Sequence, residues 1–128
     1  MDNISIAKTG RTPEISFDFS TNVYLIKGEA YPEDVTSFFG HLMDSLAEHF
    51  NTLSKSAISF RIELIYFNSS SAKMLLRLLT LLDDAAGRGN RVDIVWAYEE
   101  GDDNIKELGE ELAEDLRDAK FCLEEVPI

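Results

Sequence analysis

The stretch ISFRIELIYFNSSSAKMLLRLLTLLDDAAGRGNRVDIVWAY, Ile58 to Tyr98, decides the fold. Its opening, Ile58 to Phe67, is rich in β-branched and aromatic residues and alternates apolar with polar, as a strand with one covered face does. Asn68-Ser69-Ser70-Ser71 breaks that alternation. From there to about Ala86, Leu75, Leu78, Leu79 and Leu82 recur at the spacing of one helix face. Gly87 and Gly89 end the helix, and Arg91 to Tyr98 alternates again as a strand. A strand–helix–strand unit of this kind predicts two parallel strands joined by a right-handed crossover.

Upstream, Glu14 to Phe19 (EISFDF) alternates, and Thr21-Asn22 turns it into a second strand, Val23 to Lys27, so the pair reads as a hairpin. Tyr31-Pro32-Glu33-Asp34 predicts a helix start with Pro in the first position and acids in the first turn. Val35, Phe38, Phe39, Leu42, Leu46, Phe50 and Leu53 then project as one apolar stripe. Downstream, a third helix is expected over about Asn104 to Asp118, with the narrow stripe Ile105, Leu108, Leu112 and Leu116. Glu107, Glu110, Glu111, Glu114 and Asp118 occupy its other side, and Phe121 to Val126 closes as a short strand. The order ββαβαβαβ predicts one α/β domain over residues 1–128, a mixed sheet of about five strands with helices packed against it.

Charge narrows the function classes. The 128 residues carry a net charge of −12, and twelve acidic against three basic residues fall between Glu99 and Ile128. Nucleic-acid binding requires clustered Lys and Arg to displace counterions, and anionic membrane surfaces repel such a chain, so neither partner is expected. The N-terminal MDNISIAKTGRTPE has no apolar run of signal-peptide length, and MLLRLLTLL is too short to span a bilayer and is interrupted by Arg77. Cys122 is the single cysteine, without a disulfide partner, which suits a reducing compartment. A cytoplasmic protein is expected.

Catalytic chemistry finds no support. There is no phosphate-binding glycine loop, no GxGxxG after a strand and no HExxH, and GRGNR (Gly87 to Arg91) reads as a turn. His41 and His49 share one helix eight residues apart and form no ligand pair. His49 reads as structural, a partly charged imidazole near a helix C-terminus. Cys122 reads as a buried, inert thiol in a strand, and Asp83-Asp84 and Asp102-Asp103 as solvating charges. No catalytic residue, metal site or cofactor is therefore assigned.

One place stands out. Ser69, Ser70 and Ser71 open a helix, where hydroxyls cap free backbone N–H groups and where an anion is favoured. On spacing alone an N-capping serine is the simpler reading, a modified serine the sharper one. On the helix that follows, Lys73, Arg77, Thr80 and Asp84 form the polar stripe. Leu76 lands beside it, on the side of Ser69 and Thr80, as an apolar residue offered to a partner. Asn68, Ser69, Ser70, Lys73, Leu76, Arg77 and Thr80 are thus the candidate partner-binding residues.

GEAYPED (Gly28 to Asp34), the pair Phe38-Phe39, LIYFNSSSAK (Leu64 to Lys73) and WAYEEGD (Trp96 to Asp102) together resemble the SiaC family of bacterial regulatory phosphoproteins. The resemblance runs from about Pro13 to the last strand. It implies a fold similar to STAS domains, the anti-sigma-factor antagonists, and a phosphorylation switch in place of an enzyme. A cognate Ser/Thr protein kinase would modify the hydroxyl residue after the motif's Asn, here Ser69, and a PP2C-type phosphatase would reset it. The best-known branch has Thr at that position; with serines in a row here, Ser70 is the alternative acceptor. The resemblance further implies that the unmodified form binds an effector, a diguanylate cyclase, and so acts on cyclic-di-GMP signalling and biofilm formation. Two rivals stand beside it: an anti-sigma-factor antagonist acting on a sigma-regulating kinase, and a small-molecule-binding domain, which would need a deep polar pocket.

Overall fold

The computed structural model describes Met1–Ile128 throughout. Its elements are β1 (Ile4–Ile6), β2 (Glu14–Asp18), β3 (Val23–Ala30), α1 (Val35–Phe50), β4 (Ala57–Phe67), α2 (Ser69–Gly87), β5 (Arg91–Glu99), α3 (Asp103–Leu112) and β6 (Lys120–Val126). They form one six-stranded sheet in the order β1-β2-β3-β4-β5-β6. β1, β2 and β3 pair antiparallel, and β3, β4, β5 and β6 pair parallel, each parallel step crossing through a helix. The α/β class, the hairpin and the parallel crossovers agree with the sequence pattern.

Alternation selects one face of this sheet for burial. Ile15 and Phe17, Tyr24 and Ile26, Ile58, Phe60, Ile62 and Leu64, and Val92, Ile94 and Trp96 all point the same way. They meet Phe39, Leu42, Met43, Leu46 and Phe50 of α1, the leucines of α2 and Ile105 of α3 in one core cluster of 26 residues. All three helices therefore cover the same face. The other face stays open, although parallel sheets are usually covered on both sides. It is populated by polar groups, among them a chain of ion pairs, Lys27–Glu63–Arg61–Glu124, that crosses from β3 to β6.

Several expectations need correction. The sheet has six strands, not five, because Ile4–Ile6 adds β1 at the edge; three residues are too few to show a period. Pro32 and Glu33 precede α1: the N-cap is Asp34, whose carboxylate accepts the Ser37 N–H at 3.0 Å and the Ser37 hydroxyl at 2.7 Å. That pair of bonds holds the Asp34 carboxyl below its ordinary pKa. Leu53 lies beyond the end of α1 but still packs on the core. α3 stops at Leu112 and does not reach Asp118. The cause is Asp83 on α2, whose carboxylate accepts the N–H groups of Arg117, Asp118 and Ala119 at 2.8–3.2 Å and turns the chain into β6. Asp83 is thus a latch and not a solvating charge, and Asp102 caps α3 by accepting the Ile105 N–H at 3.1 Å.

Cys122 is exposed, not buried, because β6 is an edge strand and Cys122 lies beside Val95 on the helix-free face. His49 is structural, but burial pushes its imidazole below the ordinary histidine pKa, against the expected partial charge. Its Nε2 lies 2.8 Å from Asn22 Oδ1, which also accepts the Tyr24 hydroxyl at 2.9 Å, and its ring meets Phe19 edge-on. No helix is long and apolar enough to cross a membrane.

Candidate functional site

The β4–α2 junction sits at the carboxyl end of the parallel strands, where α/β sheets place their sites. A register slip prepares it. Gly28, at φ +128°, pairs with Leu64, and Glu29 pairs with Tyr66, so Ile65 is an extra residue on β4. The bulge breaks the alternation: Ile65 and Tyr66 are both exposed, and Phe67 returns to the core edge-on to Trp96 at 6.0 Å. Tyr66 instead packs edge-on to Tyr31 at 5.4 Å, beside the start of α2.

Asn68 is the N-cap, not a serine. Its backbone is extended, and its side-chain oxygen accepts the Ser71 N–H at 2.9 Å. With the cap supplied by Asn68, the serine hydroxyls are relieved of that role and part company. Ser69 and Ser70 are exposed, and neither hydroxyl bonds within the chain. Ser71 is fully buried, and its hydroxyl has no partner at all. The first two hydroxyls are open to solvent and the third is not.

Helical geometry then separates Ser69 from Ser70. At 100° per residue, Ser69 shares its side of α2 with Lys73, Leu76 and Thr80. Leu76 is 46% exposed there. The Thr80 hydroxyl bonds back to the Leu76 carbonyl at 2.9 Å, so its methyl group is what remains for contact. Ser70 turns the other way, toward α1, and with Lys73 and Arg77 lines an open cleft of about 490 Å³. Arg77 is tied across that cleft to Asp44 at 3.2 Å. Lys73 makes no ion pair.

The seven residues singled out from the sequence thus divide into an outer face (Ser69, Lys73, Leu76, Thr80), a cleft wall (Ser70, Arg77, again Lys73) and a cap (Asn68). Phe39, Gly40 and Met43 on the α1 side of the cleft were not singled out. Phe39 reads as part of a core stripe in the sequence, Gly40 and Met43 lie outside that stripe, and only the spacing of α1 from α2 shows that all three border a cleft. The cleft is open to solvent and lined largely by polar and charged side chains, among them Glu33, Asp34, Lys73 and Arg77, over the nearly buried Phe39, Met43 and Met74, so it is a shallow polar cleft and not the deep pocket that a small-molecule-binding domain calls for. No group of three His, Cys, Asp or Glu side chains converges as a metal site would require.

Comparison with known proteins places this geometry. Residues 6–126 match the family described as SiaC family regulatory phosphoprotein. An uncharacterised protein of Pseudomonas aeruginosa strain UCBPP-PA14 is 31% identical over 115 residues, 90% of each chain. The crystal structure of apo-SiaC from Pseudomonas aeruginosa superposes with a TM-score of 0.80 at 27% identity, covering 97% of this chain and 99% of that one. A second crystal structure, of the diguanylate cyclase SiaD in complex with its activator SiaC from the same organism, matches with a TM-score of 0.85 at 27% identity. It covers 96% of this chain and 99% of the SiaC chain.

Proposed function

This chain belongs to the SiaC family of regulatory phosphoproteins, and from that membership we propose that it is a non-catalytic cytoplasmic switch whose unmodified form binds and activates a diguanylate cyclase. A Ser/Thr protein kinase transfers a phosphoryl group from a nucleoside triphosphate to the Ser69 hydroxyl, and a PP2C-type phosphatase hydrolyses the ester. The effector assignment is supported by the relative whose structure pairs SiaC with the cyclase SiaD. Asn68, Ser69, Ser70, Lys73, Leu76, Arg77 and Thr80 are the partner-binding set, and 1–128 acts as one domain.

One observation carries the site assignment: Ser69 is the exposed, unbonded hydroxyl that shares a helix side with the half-exposed Leu76. Phosphorylation there adds about −1.5 to −2 charges at pH 7. Within the domain the helix N-terminus favours an anion by about 0.3–1 kcal/mol, so the fold accepts the phosphate. Beneath a partner the same dianion is desolvated with at most the single ammonium of Lys73 beside it, which costs several kcal/mol. Since each 1.4 kcal/mol is tenfold in affinity, release follows without any change of fold.

Intact mass and phosphopeptide mapping of protein isolated from its host is the direct test, together with pull-down of the bound cyclase. One phosphatase-sensitive phosphate on the Ser69 peptide, and cyclase activity recovered only with the unmodified form, are the expected results. Equal cyclase recovery by Ser69→Asp and wild type, with Leu76→Ala also unchanged, refutes the reading.

A further inference from the structure

We propose that Tyr66 is the aromatic anchor of the effector interface: the cyclase lays an apolar side chain on its ring, with Ser69 enclosed between Tyr66 and Leu76. The inference rests on the switch reading above and adds to it a contact residue, the chemistry that meets it and the reason why a phosphate at Ser69 is decisive.

The first argument is what the seven-residue set lacks. Asn68 is committed to its cap, Arg77 to Asp44, and the Thr80 hydroxyl to the Leu76 carbonyl. Leu76 is the one large apolar side chain among the seven, whereas stable interfaces are built round a few aromatic or apolar anchors. Away from the chain ends, Val23, Ile65, Tyr66, Leu76 and Leu123 are the large apolar side chains that stand exposed. Val23 begins β3 at its amino end, and Leu123 lies on the edge strand β6. Ile65 borders the β1–β2 loop at Lys8, Thr9 and Gly10. Tyr66, 50% exposed, is the aromatic one and stands three residues before Ser69.

The second is how Tyr66 is presented. Without the extra residue on β4, position 66 would follow Phe60, Ile62 and Leu64 into the core; the bulge turns it out to solvent. Its ring is then held edge-on to Tyr31 at 5.4 Å, and the Tyr31 N–H is anchored to the Arg11 carbonyl at 2.8 Å. A ring fixed beforehand loses little freedom when a partner covers it.

The third is reach. A standard interface takes about 800 Å² from each partner, a patch about 30 Å across. Three residues of chain span at most about 10 Å, so Tyr66 lies within that distance of Ser69. Seven helical residues set Leu76 about 10 Å from Ser69 along α2. A footprint centred on Ser69 that takes in Leu76 therefore takes in Tyr66. Ser69 then falls inside the patch and not on its rim, where water would still reach the phosphate and soften its cost. The occupant is the cyclase and not the kinase, because a complex that persists until Ser69 is modified needs this full area, whereas a transient encounter is made with less.

The test titrates unmodified wild type and three variants against the purified cyclase recovered with the wild type. Tyr66→Thr removes the ring but leaves a residue suited to a strand, and Tyr66→Phe keeps the ring without its hydroxyl. Val23→Thr removes an equally exposed apolar group at the far end of the sheet. Urea midpoints establish that each variant is folded under the conditions of the titration. Tyr66→Thr is expected to lose affinity by about tenfold or more, while Tyr66→Phe and Val23→Thr bind as wild type does. Wild-type affinity in Tyr66→Thr overturns the anchor. Equal losses in Tyr66→Thr and Tyr66→Phe overturn the apolar contact, and equal losses in Tyr66→Thr and Val23→Thr overturn the position. Wild-type cyclase affinity with slowed phosphorylation assigns Tyr66 to the kinase and overturns the inference, and in all these cases the switch reading stands. Failure of the unmodified wild type to bind a cyclase overturns the switch reading and this inference together.

Discussion

Replacing Gly109 by alanine tests the packing of α3 on the sheet, because propensity and packing predict opposite signs. In an isolated helix the change should stabilise by about 1 kcal/mol, since glycine is the weaker helix former. Here the new Cβ would lie 2.4 Å from Trp96 Nε1 and 2.6 Å from two ring carbons, where carbon atoms settle at about 3.5–4.0 Å. The indole has nowhere to go: it is 1% exposed, wedged against Phe67 and Phe121, and its Nε1–H donates to the Ile105 carbonyl at 3.0 Å. Either α3 retreats by about 1 Å, or the indole turns and loses its bond. Overpacking costs about 1–3 kcal/mol, and an orphaned buried N–H a further 1–3. Setting the propensity gain against these leaves a net loss of about 1–5 kcal/mol, centred near 3. Trp96 is the only tryptophan, so its fluorescence in a urea titration reports the perturbed site directly. At typical urea slopes the midpoint should fall by about 1–2 M. The matched control is Gly40→Ala, where the Cβ meets nothing closer than 3.9 Å and stability should rise by about 0.4–1 kcal/mol. A Gly109→Ala protein as stable as wild type, or two variants that shift in the same direction, refutes the account.

Two further outcomes are expected. Asp83→Ala removes the acceptor for three backbone N–H groups and, by analogy with the loss of a helix cap, should cost about 1 kcal/mol, with faster amide exchange confined to Arg117–Ala119. Burial alone would raise the Asp83 carboxyl, but the Ala119, Asp118 and Arg117 N–H groups hold it below the ordinary aspartate value, so its contribution is present above that ordinary value and is lost as the pH falls through the lower folded one. A wild type and an Asp83→Ala variant that differ equally at pH 7 and pH 2 in urea unfolding contradict this. Ser71→Ala deletes a buried hydroxyl without a partner and should raise the thermal midpoint, whereas loss of stability would mean that the hydroxyl is satisfied in solution.

How far the fold could be read from sequence depended on the length of each pattern. β4 alternates from Ala57 to Leu64 and α2 keeps its period over nineteen residues, and both were legible to within a residue or two. β1, with three residues, left no period to read. The end of α3 was misplaced because the apolar stripe continues to Leu116 while a carboxylate thirty-four residues earlier in the chain turns the backbone away. Cys122 was misjudged for a related reason. An apolar residue in a strand reads as buried, but burial also needs a layer above it, and no helix covers that face of β6.

The candidate site divides in the same way. The order of elements from β2 onward, the helix start at Asn68–Ser71 and the side of α2 that carries Ser69, Lys73, Leu76 and Thr80 follow from local periodicity and motif, because backbone geometry alone sets which residues share a side. Which serine is capped, buried or free was settled by Asn68 and by the layer beneath Ser71. The cleft was settled by two helices far apart in sequence: Gly40 and Met43 face Ser70 and Lys73 only because β3 and β4 lie side by side and carry α1 and α2 onto the same face. Periodicity gives the direction in which a side chain points. Only the tertiary structure supplies what stands opposite, and for Lys73 that is an open cleft in which it makes no ion pair.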